Sequence, residues 1–219
     1  MAKESKQPWP TKDAMQQIYT MHLWGGKNYD FYSGIGSHDP QIINPYLNVL
    51  MSFLKSHEPA LNVCDLGCGD FNIGKQLVNY TNTYIAIDIV ESLIDRNKNL
   101  YKEYNLEFQC LDIIEHELPS GDCVIIRQVL QHLCNKDIKK VLEKLANFKY
   151  IIITEHLPLG NFVPNKDIIS GQGIRLKKIS GVDVLKTPFN LKVEKQKNLD
   201  EYILKDGKSR ILTTLFKMF

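Results

Sequence analysis

A strand that runs straight into closely spaced glycines constrains this chain more than any other feature: Asn62-Val63-Cys64-Asp65-Leu66-Gly67-Cys68-Gly69-Asp70-Phe71-Asn72-Ile73-Gly74. The first half is an apolar strand, the middle a turn, and the end an amphipathic segment expected to be helical over 72–79. Glycine permits positive φ and close approach of a ligand to the backbone. A helix opening behind such a turn directs free N–H groups at whatever sits there. The layout is that of a nucleotide-binding loop. Its spacing is not that of a dinucleotide site, where a third glycine follows the second by three positions. Here that position is Asn72, and the next glycine is Gly74.

Asp65-Leu66-Gly67-Cys68-Gly69 instead resembles the D-x-G-x-G motif I of class I S-adenosylmethionine (SAM) methyltransferases. SAM carries an ammonium and a sulfonium rather than a pyrophosphate, so an acid beside the glycines suits its charge. Two further acids close strands downstream. Asp88 ends Tyr84-Ile85-Ala86-Ile87, nineteen residues after Gly69, where a carboxylate can accept the ribose hydroxyls. Asp112 follows Cys110-Leu111; the resemblance implies that it meets the adenine amino group while Ile113 packs on the ring. Cofactor contacts are expected from Trp24, Asp65, Gly67, Cys68, Gly69, Asp88, Ile89, Asp112, Ile113, Arg127 and Gln128.

Strand and helix patterns alternate between Leu61 and Thr154, the signature of a parallel sheet with helices on both faces. Strands are expected at 61–66, 83–87, 107–111, 123–126 and 150–154, with helices at 90–104 and 136–147. Upstream, Thr11 is expected to cap a helix over 12–22, and Asp39-Pro40 to start another that reaches Ser56. Two β-rich segments, 191–204 and 210–219, flank Asp206-Gly207, a hairpin signal. The fold class that follows is α/β: a Rossmann-like seven-stranded methyltransferase sheet, mostly parallel, with a C-terminal antiparallel hairpin. A flexible tail at 1–10 precedes a single domain at 11–219, with no internal repeat.

A narrower resemblance, to a group of bacterial methyltransferase-domain proteins, rests on Cys68-Gly69-Asp70-Phe71-Asn72, Asp88-Ile89-Val90, Arg127 with His132, and an upstream Ser33-Gly34-Ile35-Gly36-Ser37. Two irregular stretches are expected over the site: the aromatic loop 24–38, and a lid over 155–186, longer than an ordinary connection. They supply the acceptor-side candidates Tyr32, Ser33, His38 and Arg175, with Arg127 shared. An oxygen acceptor that is a poor acid needs a general base. His132 is the first candidate, and Glu155 with His156 at the end of the fifth strand form a second pair. Arg127, costly beside a buried strand without an anion, could meet the SAM carboxylate, Asp70 or an acceptor phosphate.

These readings converge on a SAM-dependent methyltransferase acting on a small-molecule acceptor, with O-methylation of a sugar, nucleotide-linked sugar or related surface-polysaccharide precursor preferred. The alternatives are a non-catalytic SAM- or nucleotide-binding regulatory module and an RNA methyltransferase. From Arg175 onward eleven Lys and Arg face five Asp and Glu, a bias that would suit an anionic acceptor. Aromatics do not interleave these lysines as in a nucleic-acid groove. No apolar run reaches the ~18 residues that span a bilayer, no metal is expected, and five cysteines without framework spacing suit a reducing, cytoplasmic setting. Oligomeric state is not legible.

Overall fold

The computed structural model describes residues 9–26 and 28–219. Most of the tail expected at 1–10, and Lys27 of the aromatic loop, lie outside the described residues.

Seven strands form one sheet in the order β3-β2-β1-β4-β5-β7-β6. They are β1 (Asn62–Leu66), β2 (Thr83–Asp88), β3 (Leu106–Cys110), β4 (Cys123–Arg127), β5 (Tyr150–Pro158), β6 (Lys195–Ile203) and β7 (Ser209–Lys217). β1 to β5 are mutually parallel, and β7 is antiparallel to both β5 and β6. The hairpin turns at Gly207, φ +62°, a left-handed conformation that the Asp-Gly signal anticipates.

The central strands are apolar throughout because both faces are covered. On one face α2 (Pro40–Lys55) buries Ile43, Tyr46, Leu47, Leu50 and Leu54 against Val63, Ile125 and Ile152. Each such side chain contributes roughly 1.5–3 kcal/mol. Asp39 caps α2 by accepting from the Gln41 N–H at 2.9 Å, and proline fills the first turn. On the other face α4 (Asn135–Lys144) packs Ile138, Val141 and Leu142 on Val124, Ile126, Ile151 and Ile153.

Several boundaries depart from the sequence reading. α1 spans Thr11–Thr20, with Pro10 rather than Thr11 at the cap position. α3 (Glu91–Leu100) stops before Tyr101, whose ring packs on Phe71. The helix expected at 72–79 is replaced by two short 3₁₀ turns, Gly74–Gln76 and Val78–Tyr80. Phe71 takes φ +63° and drives its fully buried ring among Tyr84, Tyr101 and Phe108, with Gly74 flush against its edge. Beyond it the Gln76, Leu77, Tyr80 and Thr81 N–H groups bond carbonyls three residues back, the 3₁₀ pattern, and no run of α-helical bonds forms. The glycine turn therefore presents no α-helix N-terminus to a ligand. The expected lid also starts later. β5 continues through Glu155 and His156 to Pro158, held by pairing with β7 from Glu155↔Leu212 to Pro158↔Ser209.

Candidate active site

Parallel register brings the ends of four strands to one edge: Leu66 pairs with Ile87 and Ile126, Asp88 with Cys110, and Arg127 with Thr154. β1 lies between β2 and β4, the switch point of the sheet, where ligands of open α/β folds bind. A cavity of about 400 Å³ opens there. Its lining includes every residue expected at the cofactor: Trp24, Asp65, Gly67, Cys68, Gly69, Asp88, Ile89, Asp112, Ile113, Arg127 and Gln128.

The glycine turn is shaped by its neighbours. Gly67, at φ +80°, gives its N–H to Ile87 O at 2.8 Å and has Val129 pressed against the side a Cβ would occupy. Gly69, at φ +56°, gives its N–H to Asp88 Oδ2 at 3.1 Å. Asp88 Oδ1 accepts from Val90 N–H at 3.0 Å, so the carboxylate is aimed by two backbone donors and keeps lone pairs for a ligand. Asp112 is held in the same way by Ile114 N–H at 2.8 Å.

Asp65 is buried, with Tyr84 Oη donating to it at 2.8 Å. Burial pushes its carboxyl up to about 7; the Tyr84 bond and Arg127 oppose the rise, and Asp88 adds to it. Arg127 gives Nη2 to Gly36 O at 2.6 Å and Nη1 to Gln128 Oε1 at 3.1 Å, with its guanidinium 4.7 Å from the Tyr46 ring centre. Its Nε and the Tyr46 hydroxyl are both buried without a partner. A group carrying both an ammonium and a carboxylate fits this corner, the first toward Asp65 and the second toward Arg127 and Tyr46. The SAM amino-acid moiety is such a group.

Sequence spacing gave no sign of the contact that closes the turn. Asp70 Oδ2 accepts from Ser33 N–H at 2.9 Å and meets His38 Nε2 at 2.6 Å, while Ser33 Oγ accepts from Asp70 N–H at 2.8 Å. Asn72 Nδ2 reaches Ser37 O at 2.8 Å. The Ser-Gly-x-Gly-Ser segment is thus pinned across the glycine turn, and Gly36 leaves room for the Gln128 amide. Of the acceptor-side candidates on this loop, Ser33 lines the cavity with its hydroxyl committed to Asp70. His38 is turned to Asp70, and Tyr32 stacks on His38 with ring centres 4.4 Å apart; neither lines the cavity.

His132 lines the opposite wall, its ring centre 5.4 Å from that of Trp24. Gln131 Oε1 accepts from His156 N–H at 3.2 Å, which turns the Gln131 amide NH₂ toward His132 Nε2 at 3.3 Å. That assignment makes Nε2 the acceptor and leaves the proton on Nδ1, which is buried without a partner. Burial holds the ring's pKa down to about 4, so it is neutral at pH 7. Gln131, beside His132 in the sequence, lines the cavity as well, and so does Gln172, which no sequence signal marks.

Three acceptor-side expectations need correction. Glu155 and His156 are adjacent on one strand, so they point to opposite faces and cannot act as a pair; neither lines this cavity. His156 Nε2 is 2.9 Å from Ser209 Oγ instead. Arg175 is no clamp: it is 1% exposed and spends its donors on the carbonyls of Lys166, Leu130, Gln131 and Leu133 and on Asn135 Oδ1. It ties the segment carrying Gln172 and Ile174 to the 130–135 turn. No residue after Ile174 lines the cavity, so the basic segment from Arg175 onward puts no charge there. Among the described residues there is no cluster suited to a metal and no helix long and apolar enough to cross a membrane.

Residues 64–148 match the model of a family described as a methyltransferase domain. The malonyl-[acyl-carrier protein] O-methyltransferase of Acetivibrio thermocellus is 35% identical over 106 residues, 47% of this chain and 35% of that one. The chain thus spans about a third of that relative's length. The N-methyltransferase NodS of Bradyrhizobium japonicum, solved with S-adenosyl-L-homocysteine, superposes with a TM-score of 0.64 at 11% identity, covering 94% of this chain and 99% of NodS. The [4+2]-cyclase SpnF superposes at 0.63 with 12% identity, covering 98% and 99%. The fold is the Rossmann-like methyltransferase fold. At these identities the structural likeness concerns fold alone, and SpnF shows that it also houses a protein named for other chemistry.

Proposed function

We propose that the protein is a SAM-dependent methyltransferase acting on a small-molecule acceptor. The observation that carries this reading is the edge where Asp65, Asp88 and Asp112 converge on one cavity behind the glycine turn, within the segment that matches a methyltransferase domain. Asp88 would hold the ribose hydroxyls, Asp112 and Ile113 the adenine, and Asp65, Arg127 and Tyr46 the amino-acid end. When bound, SAM supplies a sulfonium methyl open to in-line attack. The chain's part is to align an acceptor against it and exclude water.

The acceptor end is walled by Trp24, Ile35, Gln131, His132, Gln172 and Ile174, an uncharged set, half apolar and half polar. It suits a nucleophilic oxygen better than an anionic headgroup. A sugar or nucleotide-linked sugar acceptor rests on the motif resemblance alone, and a non-catalytic SAM-binding regulatory module would need only the cofactor end of the cavity. An RNA acceptor would need cations that the lining lacks apart from Arg127. The test is transfer of labelled methyl from SAM to cell metabolite fractions, read by mass spectrometry. SAM binding without transfer to any fraction would favour the regulatory module.

His132 is the base in this reading: its neutral ring takes the acceptor proton at Nε2 as the Gln131 amide turns away. His132→Ala is expected to lower kcat by about 100-fold or more, with SAM affinity changed less than about threefold. Turnover equal to wild type would remove the assignment.

Asp65 makes cofactor binding pH-dependent. Its carboxyl, protonated below about 7 in the free protein, must lose that proton to meet an ammonium. SAM affinity should therefore weaken as pH falls below about 7, approaching tenfold per unit. Asp65→Asn should bind weakly, with affinity that stays flat between about pH 5 and 7 because the titrating group is gone. Calorimetric titration at several pH values decides this, and an unchanged slope in the variant would assign the dependence to another group.

A further inference from the structure

A second cavity, of about 330 Å³, shares no lining residue with the first. Its floor is the sheet face formed by alternate residues of β5, β7 and β6, and its roof is Phe162 with the segment 182–186. Apolar side chains alone would be expected between a sheet and its covering segment. Among Ile153, Leu157, Leu212 and Phe216 this floor also carries Glu155, Arg210, Gln196, Asn198 and Thr214. The volume falls in the range of small-ligand pockets, roughly 300–1,000 Å³.

Glu155 is the unusual member. It is 3% exposed, and neither carboxyl oxygen has a hydrogen-bond partner. Burial pushes its carboxyl up to about 8, against the Arg175 guanidinium and the N–H groups of Leu130 and Gln131, which lie near it outside hydrogen-bonding geometry. A buried polar group left unmatched is costly, and a built site supplies its partner from a ligand. Arg210 pairs with Leu157 across the strands while Glu155 pairs with Leu212. The two are therefore diagonal neighbours on one face, roughly 7 Å apart at Cβ. Arg210 Nη1 bonds Glu201 at 2.8 Å, but its Nε is buried and unpartnered. Lys186 lies at the rim and has no carboxylate partner among the described residues. Asp183, the other acid in the lining, has one oxygen engaged by Leu185 N–H at 3.0 Å.

We propose that this cavity binds a small organic anion that also carries a hydrogen-bond donor, a hydroxy acid or an amino acid, with the donor on Glu155 and the anionic end on Arg210 and Lys186. Phe162 and the apolar roof cover its carbon skeleton. The site is independent of the strand-end cavity and of the activity proposed for it.

The experiment titrates the full-length, isotopically labelled protein with L-lactate, L-alanine and propionate while backbone amide resonances are followed. Lactate or alanine should give saturable shifts at Glu155, Asn198, Leu212 and Thr214, and comparing the two tells a hydroxyl from an ammonium donor. Propionate, which lacks the donor, should bind at least about tenfold more weakly. Glu155→Leu should lose the preference for the donor-bearing probes, and Arg210→Gln should weaken all three. A cooperative thermal melt of Glu155→Leu, at or above the wild-type temperature at pH 8, checks that the variant is folded. The proposal is overturned by equal affinity for propionate, by shifts centred on Gly67 and Asp88, or by no saturable shift at about 50 mM of any probe.

Discussion

Calorimetric titration of the Asp88→Ala variant with SAM is expected to show affinity lower by about 100-fold or more, close to 3 kcal/mol. Two contributions add. A carboxylate placed for the ribose hydroxyls is lost, and so is the acceptor that holds the Gly69 and Val90 N–H groups in place. Asp88→Asn separates them. An amide oxygen can retain one backbone donor while the charge-assisted bonds to ribose weaken, so this variant should fall between wild type and alanine. Both variants should melt within a few degrees of wild type, because the change lies at the sheet edge and leaves both core clusters intact. Unaltered affinity in Asp88→Ala would displace the cofactor from this edge and take the methyltransferase reading with it.

What could be read in advance followed the range of the interaction. β1, β2 and β4 are short, largely apolar runs, closed by Gly67, Asp88 and Arg127 in turn, and strands covered on both faces have to be apolar. Once these strands and β3 are in register, Asp65, Asp88 and Asp112 reach the same edge without further information. The Ser33–Asp70 exchange links residues 37 apart, and no local period encodes it. The missing helix after Gly69 was hidden for a related reason. Its residues have helical spacing, but Phe71, Leu77 and Val78 are all drawn into the core and the segment closes into 3₁₀ turns, tertiary burial overriding propensity. The pairing of Glu155 with His156 was avoidable, since neighbours on a strand face opposite ways. Arg175 posed the harder problem. An arginine in an irregular, basic stretch reads as a free cation, and only the fold shows five acceptors waiting for it.

Arg175→Ala should destabilise the protein by about 3–5 kcal/mol, which for a chain of this length lowers the melting temperature by roughly 10 °C or more. Four backbone carbonyls and Asn135 Oδ1 lose a donor in a place that water does not reach, at distances of 2.7 to 3.3 Å in the intact protein. Arg175→Lys should restore only a minor part, because one ammonium cannot span acceptors arranged around a planar guanidinium. Arg175 bonds none of the residues assigned to SAM, so cofactor affinity should stay within about threefold wherever the variant is folded. A clamp on an anionic acceptor would give the opposite pair of results: a normal melt and a raised KM. The two outcomes divide cleanly. An unchanged melting temperature would release Arg175 from its structural post and return it to the acceptor side.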